Sequence, residues 1–159
     1  MTAPSPTDRA TPGGKRLENG HQTLVTISTD TDISFYEISV KPFGFDGGDM
    51  VDTTTMHNTT VRTKAPSALI DVTDLTGSAA YDPEVLDMIL AQMNVPATIT
   101  VTHPNGDQWA VFGCLRMFEP DENTEGEMPT ASFTISATNT DPATGGEEVP
   151  NQVTAAGTD

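Results

Sequence analysis

The residues that most often carry catalytic or metal chemistry are few and widely separated in this chain. The three histidines, His21, His57 and His103, have no partner at a spacing typical of zinc ligands. The only cysteine, Cys114, stands near Phe112 in an apolar run, and this setting favours a buried structural thiol over a nucleophile. A single cysteine also excludes an internal disulfide. These residues therefore indicate neither a zinc centre nor a thiol active site.

Carboxylates are abundant, and two short clusters of them invite a chemical interpretation. Residues 46–52, DGGDMVD, offer three carboxylates to a calcium ion but lack the alternation and terminal glutamate of an EF-hand, so a plain turn is favoured. Four acids between residues 121 and 127 fall on a polar stretch, whereas catalytic carboxylates need a scaffold that moves their pKa values apart. No phosphate-binding, dinucleotide-binding or nucleophile-elbow motif occurs. We expect no enzymatic activity, metal site or cofactor.

Charge is the strongest feature of the composition. The chain has 159 residues, of which 23 are acidic and 7 basic, giving a formal net charge of −16. Residues 1–64 hold six bases and eight acids, whereas residues 65–159 hold fifteen acids and one base, Arg116. This balance argues against a nucleic-acid grip made of Lys and Arg. Two interpretations stay open: a solvated acidic surface, or a surface that repels a polyanion.

The large apolar residues are concentrated in the middle of the chain. Residues 1–22 contain only Leu17 besides Met1, and residues 139–159 contain no Leu, Ile, Phe, Met or aromatic residue. Both ends are rich in Thr, Pro, Gly and Ala, as linkers are. We expect a flexible N-terminal arm over residues 1–22, a β-sandwich domain over 23–138 and a flexible C-terminal tail over 139–159. No apolar run reaches 18 residues, so no membrane anchor is expected.

Alternation of apolar and polar residues predicts a mainly β chain. Strands are predicted over residues 23–29, 33–41, 67–74, 97–103, 108–118 and 131–138, with a break at 77–80. In the strand at 33–41 the exposed face is expected to change along its length. Asp82, Pro83 and Glu84 form a helix start signal, and apolar residues then recur at helical spacing until near Asn94. The fold class predicted is an antiparallel β-sandwich or partly closed barrel with one flanking α-helix.

An unusually long connection follows Pro42. Residues 43–64 are rich in Gly and Thr and weakly periodic, and connections of this length in a compact domain often serve a function. Three apolar residues, Met50, Met56 and Val61, stand isolated in this polar segment. An interface with another subunit accounts for them better than a monomer does.

Several stretches, in this order, resemble the major tail tube proteins of long-tailed, siphovirus-like bacteriophages. The resemblance covers residues 23–142, and the order and spacing of the motifs carry it. The matching stretches are Thr54-Thr55-Met56 with residues 61–64, the helix start at 81–86, the hairpin at 99–101 and 109–111 with Gly113 and Leu115 after it, and residues 118–129 with the alternating strand to Asn139.

The resemblance implies a structural role in a virion tail that is assembled in the cytoplasm of the host bacterium. Subunits are expected to form hexameric rings that stack into a hollow tube, in which inner sheets join into a continuous barrel. Double-stranded DNA would pass through without specific binding. The implied partners are further copies of the chain, a tape-measure protein, a tail terminator and a distal tail or baseplate protein.

Two sets of site residues follow from this resemblance and the charge pattern. Candidates for the inter-subunit loop are Met50, Thr55, Met56, Val61, Arg62 and Lys64. Candidates for lumen-facing acids, which would keep the passage from binding phosphates, are Asp71, Asp74, Asp107 and Glu119. Two alternatives stay open, namely a monomeric β-sandwich module for ligand binding or adhesion, and a related tail terminator or secretion-tube protein.

Overall fold

The computed structural model describes residues 23–28, 33–34, 36–81, 83, 86–104 and 106–153. Within these residues the chain is mainly β and has one α-helix, α1 (Leu86–Gln92). The expected N-terminal arm at 1–22 and the hairpin residue Asn105 lie outside them. The strands are, in chain order, β1 (Leu24–Ser28), β2 (Ile33–Ser34), β3 (Glu37–Lys41), β4 (Phe45–Asp46), β5 (Val51–Asp52), β6 (Lys64–Ala65), β7 (Asp71–Val72), β8 (Leu75–Ala80), β9 (Ala97–Thr102), β10 (Gln108–Pro120), β11 (Thr130–Ala137) and β12 (Asn151–Val153).

One antiparallel sheet forms the body of the molecule. Its strand order is β2-β1-β9-β10-β11-β8-β3, and β12 lies beside the start of β10. The long strand β10 pairs with β9 through its first half and with β11 through its second half. The end strands β2 and β3 belong to one run of chain, in which two residues separate Ser34 from Glu37. The sheet therefore curls into a partly closed barrel, and the predicted fold class is confirmed.

The core consists of the inward-facing residues of this curled sheet. On β1, β9 and β11 most apolar side chains point inward and most Ser and Thr side chains point outward, as the sequence alternation predicts. The exceptions are Leu24, which is exposed, and Thr134, which is buried. The largest fully buried side chains are Val25, Ile27, Leu75, Ile99, Val101, Leu115, Phe133 and Ile135.

The strand preceding the helix differs from the sequence prediction. A break was expected at residues 77–80, but β8 runs through them and pairs with both β11 and β3. Glycine is required at position 77 because the ring of Phe133 occupies the space beside it. The strand predicted over residues 67–74 is reduced to β7, and Leu69 and Ile70 are exposed.

Two bulges change which face a residue occupies. The register of β10 against β11 shifts between Leu115 and Met117. Strict alternation would place Met117 on the same face as the buried Leu115, but Met117 is exposed, whereas Phe118 packs against the core. A second shift, in β3 after Glu37, produces the expected change of exposed face along that strand. A bulge adds one residue to one strand, so every later side chain changes sides.

Part of the C-terminal segment expected to be a flexible tail is described by the structure, and residues 154–159 lie outside the described residues. Its first fifteen residues, 139–153, form a turn around Asp141 and then β12, which pairs with β10. The Asp141 carboxylate accepts a hydrogen bond from the N–H of Ala143 at 2.8 Å. Backbone pairing and this turn connect residues 139–153 to β10, although they contain no Leu, Ile, Phe, Met or aromatic residue.

The helix lies against the barrel through one side only. Ile89 is buried, whereas Leu86 and Leu90 are exposed. The helix ends where predicted: Asn94 has a φ of 59°, and its N–H donates to the carbonyl of Leu115 at 3.0 Å. The predicted capping residues Asp82 and Glu84 lie outside the described residues. Among the described residues no helix is long and apolar enough to span a bilayer.

Candidate inter-subunit surface

The long connection after β3 is an ordered β-hairpin arm, which we define as residues 43–74. Two short antiparallel ladders build it. Near the barrel β4 pairs with β7, and further out β5 pairs with β6, with Asp52 opposite Lys64. Sequence periodicity is weak here because the two ladders contain only two residue pairs each, which leaves no room for an alternating pattern.

The base of the arm is anchored in the barrel. The side chain of Phe43 is buried in the core, and the ring of Phe45 lies 5.5 Å from that of Trp109 on β10. The N–H of Thr73 donates to the carbonyl of Gly44 at 2.9 Å, and the N–H of Gly44 donates to the hydroxyl of Thr73 at 2.9 Å. The arm therefore leaves the barrel from a fixed position.

The tip of the arm is organised by Asn58. Its Oδ1 accepts hydrogen bonds from the N–H and the hydroxyl of Thr55 at 2.9 and 3.1 Å. Its Nδ2 donates to the carbonyl of Val61 at 3.1 Å. Below this turn, the N–H of Thr53 donates to the carbonyl of Thr63. Sequence analysis missed Asn58, although an Asn in a Thr-rich segment is a recognised turn former.

The arm exposes large apolar side chains along most of its length. Met56 at the tip is fully exposed, and Val61 is 70% exposed. All six residues proposed for the inter-subunit loop lie on this arm, and all are exposed. The exposed apolar residues of the arm are Phe45, Met50, Val51, Met56, Val61, Leu69 and Ile70. A series of exposed apolar side chains of this kind is typical of an interaction surface.

The four acids predicted to face a lumen do not form one cluster. Asp71 and Asp74 lie at the base of the arm, and Asp74 pairs with Arg116 on β10 at 3.2 Å. Asp107 precedes β10, and Glu119 lies at the opposite end of that strand. These last two residues are twelve positions apart on extended chain, which corresponds to roughly 35–40 Å.

Among the described residues, two carboxyl groups, those of Glu37 and Asp52, have pKa values displaced from the ordinary range. Burial raises the pKa of Glu37, although a hydrogen bond from the N–H of Val25 at 2.7 Å opposes that shift. This bond links β3 to β1 across the gap between the end strands of the sheet. On the arm, the hydroxyl and the N–H of Thr54 lower the pKa of Asp52.

The remaining candidate residues occupy structural positions. Asp46 accepts a hydrogen bond from the N–H of Gly48, as expected of a turn. Asp121 accepts from the hydroxyls of Thr130 and Ser132, which ties its loop to β11. Within the described part of the chain, no three His, Cys, Asp or Glu side chains converge on a point where a metal ion could bind.

Comparisons by sequence find no relative: no protein-family model and no curated protein matches the chain. The fold, however, has close counterparts among solved structures. A chain of the sixfold-symmetrised anti-feeding prophage baseplate matches with a TM-score of 0.61 at 8% identity, over 87% of this chain and 97% of that one.

Two further assemblies contain this fold. A chain of the native gene transfer agent virion matches with a TM-score of 0.61 at 10% identity, covering 87% of this chain and 100% of that one. A chain of the PVC sheath-tube complex, an extracellular contractile injection system, matches with a TM-score of 0.60 at 16% identity, over 96% and 99% of the two chains. The protein therefore has the fold of components of phage-like tails and contractile injection systems.

Proposed function

We propose that this protein is a non-enzymatic structural subunit of a phage-like tail tube. Copies of it assemble into hexameric rings, and the rings stack into a hollow tube in the virion tail. The observation that carries this proposal is the arm, which is fixed in the core at its base and exposes a series of large apolar side chains beyond it.

Burial of the exposed apolar side chains of the arm in a neighbouring copy would contribute a large favourable free energy. Covering a Met, Val, Leu or Ile side chain contributes about 1.5–3 kcal/mol. Six such side chains on the arm, from Met50 to Ile70, are more than half exposed. Burying them in a neighbour would contribute on the order of 10 kcal/mol, which is enough to offset a substantial part of the entropic cost of association.

The strand pairing of the arm also favours an assembled state. Its two ladders contain two residue pairs each, and a two-stranded hairpin is marginally stable in water. Contact with a neighbouring subunit would stabilise the arm and cover its unpaired strand edges. An arm that binds a different surface on the next copy makes a head-to-tail contact, and such contacts form a ring when the rotation between successive copies closes.

The assemblies that contain chains of similar fold support the proposal of six copies in a ring and of rings stacked into a tube. One belongs to a baseplate treated as sixfold symmetric and another to a sheath-tube complex. The formal charge of −16 per copy would keep an enclosed passage from binding phosphates, so that double-stranded DNA passes without a specific site. The proposed partners are a tape-measure protein, a tail terminator and a distal tail or baseplate protein, and assembly takes place in the bacterial cytoplasm.

Concentration-dependent assembly tests this function. The wild-type protein should form rings or tubes in negative-stain micrographs at high concentration, alone or with a tape-measure protein. The variant Met56→Asp/Val61→Asp should stay monomeric while keeping the wild-type circular dichroism spectrum. The matched control is Val149→Asp, which adds a charge at an exposed apolar position outside the arm and should assemble normally.

Each other outcome has a defined meaning. A strictly monomeric wild-type protein, with and without a tape-measure protein, would contradict the tube and favour a binding or adhesion module. Rings that never stack into continuous tubes would assign the chain to a baseplate or terminator ring instead.

A further inference from the structure

We propose that the arm of one copy docks on the exposed apolar side of helix α1 of a neighbouring copy, with Met56 and Val61 lying against Leu86 and Leu90. This inference rests on the proposed function, since it requires subunits that associate, and it names the surface that receives the arm.

Helix α1 has an apolar strip that the barrel covers only in part. Ile89 is 5% exposed, and Met93 packs against the core beside it. Leu86 and Leu90 are four residues apart and therefore share the adjoining side of the helix, where they are 42% and 68% exposed. Val95, just after the helix, is exposed too. A helix whose apolar strip is half exposed is typical of a helix that packs against a further partner.

The arm matches this surface in chemistry. Its tip presents Met56 and Val61, and the flexible thioether of a methionine adapts readily to the surface of a partner. Near these lie two exposed cations, Arg62 and Lys64. The tip therefore presents an apolar contact surface with positive charge beside it.

The helix supplies the complementary charge. Asp87 in its first turn is exposed, and its last turn contains no basic residue. The negative end of the helix dipole therefore has no cation from its own helix. Arg62 or Lys64 of a neighbour would pair with Asp87 or with the last carbonyls of the helix, while the apolar side chains meet between them.

The contact must form between copies. Met56 is fully exposed and Leu90 is 68% exposed in the single chain, so neither covers the other within one copy. Phe45 and Thr53 are eight positions apart, so this part of the arm can extend up to about 27 Å from its base. That reach is comparable to the radius of a small domain, and it allows the tip to contact the next subunit.

Site-directed cross-linking tests the docking. In a Cys114→Ser background, chains carrying Val61→Cys are mixed with tagged chains carrying Leu90→Cys, assembled, and treated with a short bismaleimide cross-linker. The control mixture replaces Leu90→Cys with Val149→Cys, which is also an exposed apolar position. We expect several-fold more cross-linked heterodimer from the first mixture than from the control.

A charge exchange gives a second readout. Arg62→Glu should raise the protein concentration needed for ring formation by about two- to fivefold, as expected for the loss of one exposed ion pair. The double variant Arg62→Glu/Asp87→Arg should restore the wild-type value.

The outcomes separate the docking from the tube. Rings or tubes that show no preference for the Val61–Leu90 cross-link would overturn the docking and leave the proposed function standing. Preferential cross-linking without rings would support the docking and contradict the tube. Absence of both would overturn both.

Discussion

Gly77 on β8 lies so close to the ring of Phe133 on β11 that no side chain fits between them. A Cβ atom at position 77 would lie 2.7 Å from Cζ of Phe133 and 2.6 Å from the carbonyl oxygen of Ser39 on β3. Both distances are well inside van der Waals contact. The packing of three neighbouring strands, β3, β8 and β11, therefore requires a residue without a side chain at position 77. The arm begins after β3 and ends before β8, so two of these strands position it.

Adding that single carbon should destabilise the fold. We expect Gly77→Ala to lower the free energy of unfolding by about 1–3 kcal/mol, the usual cost of overpacking, because backbone and a fully buried ring must both move. The matched control is Gly47→Ala on the arm, where nothing lies within 4 Å of the added carbon, and it should stay within about 0.5 kcal/mol of wild type. Urea unfolding measures both, and equal stabilities would contradict the close contact.

The tip of the arm should loosen when Asn58 is replaced. Asn58→Ala removes the acceptor for Thr55 and the donor to Val61, which together should cost about 1 kcal/mol or more of local stability. Trypsin cleavage after Arg62 should become at least about fivefold faster, with the global unfolding midpoint nearly unchanged. Thr59→Ala, at an exposed position of the same turn, serves as the control. Unchanged cleavage would show that Asn58 does not hold the turn.

The ion pair between Arg116 and Asp74 should contribute little to stability. Both side chains are largely accessible, 60% and 37%, so solvent screens their attraction. A double-mutant cycle with Arg116→Ala and Asp74→Ala should give a coupling energy of about 0.2–1 kcal/mol that decreases with added salt. A coupling above about 2 kcal/mol would mean that the pair is shielded from water to a degree its exposure does not indicate.

The alternation of apolar and polar residues correctly predicted strands whose burial depends on alternation alone. Val25 and Ile27 on β1, and Phe133 and Ile135 on β11, alternate with polar residues and lie in the core. The predicted break at residues 77–80 is wrong because a run of small residues is also typical of a loop. The ring of Phe133 explains why position 77 is a glycine, but Phe133 lies 56 positions away in sequence and approaches Gly77 only when the strands pair.

The candidate surface was predictable in the same partial way. Met56 and Val61 stand out as apolar residues in a polar segment, and they are exposed. The pairing of the arm and the role of Asn58 depend on contacts between its two strands, which periodicity does not encode. The side of the sheet on which Glu119 lies depends on the bulge after Leu115, because one extra residue moves every later side chain of β10 to the opposite face.

Glu37 should make stability depend on pH. Its ordinary pKa is 4.5, and burial raises the pKa in the folded chain. The folded state therefore binds this proton more tightly, so the stability contributed by the group is fully present below pH 4.5 and is lost as pH rises through the folded pKa. Glu37→Gln keeps an acceptor for the N–H of Val25 and cannot ionise. The variant should be more stable than wild type at pH 7 and about equal to it below pH 4.5, as measured by urea unfolding across that range. A difference that is independent of pH would contradict this assignment.

Assembly should become easier as salt is added. Each copy carries a formal charge of −16, so copies repel one another, whereas the apolar contacts of the arm do not depend on ionic strength. Between about 50 mM and about 500 mM NaCl the screening length falls from about 14 Å to about 4 Å, which removes most of the repulsion between subunits. The concentration at which rings appear in sedimentation velocity should therefore fall, even though any pair between Arg62 and Asp87 weakens. Met56→Asp/Val61→Asp should not assemble at either salt concentration, because screening does not replace the lost apolar contact. If salt raised the assembly concentration of the wild-type protein, ion pairs rather than the apolar arm would hold the subunits together.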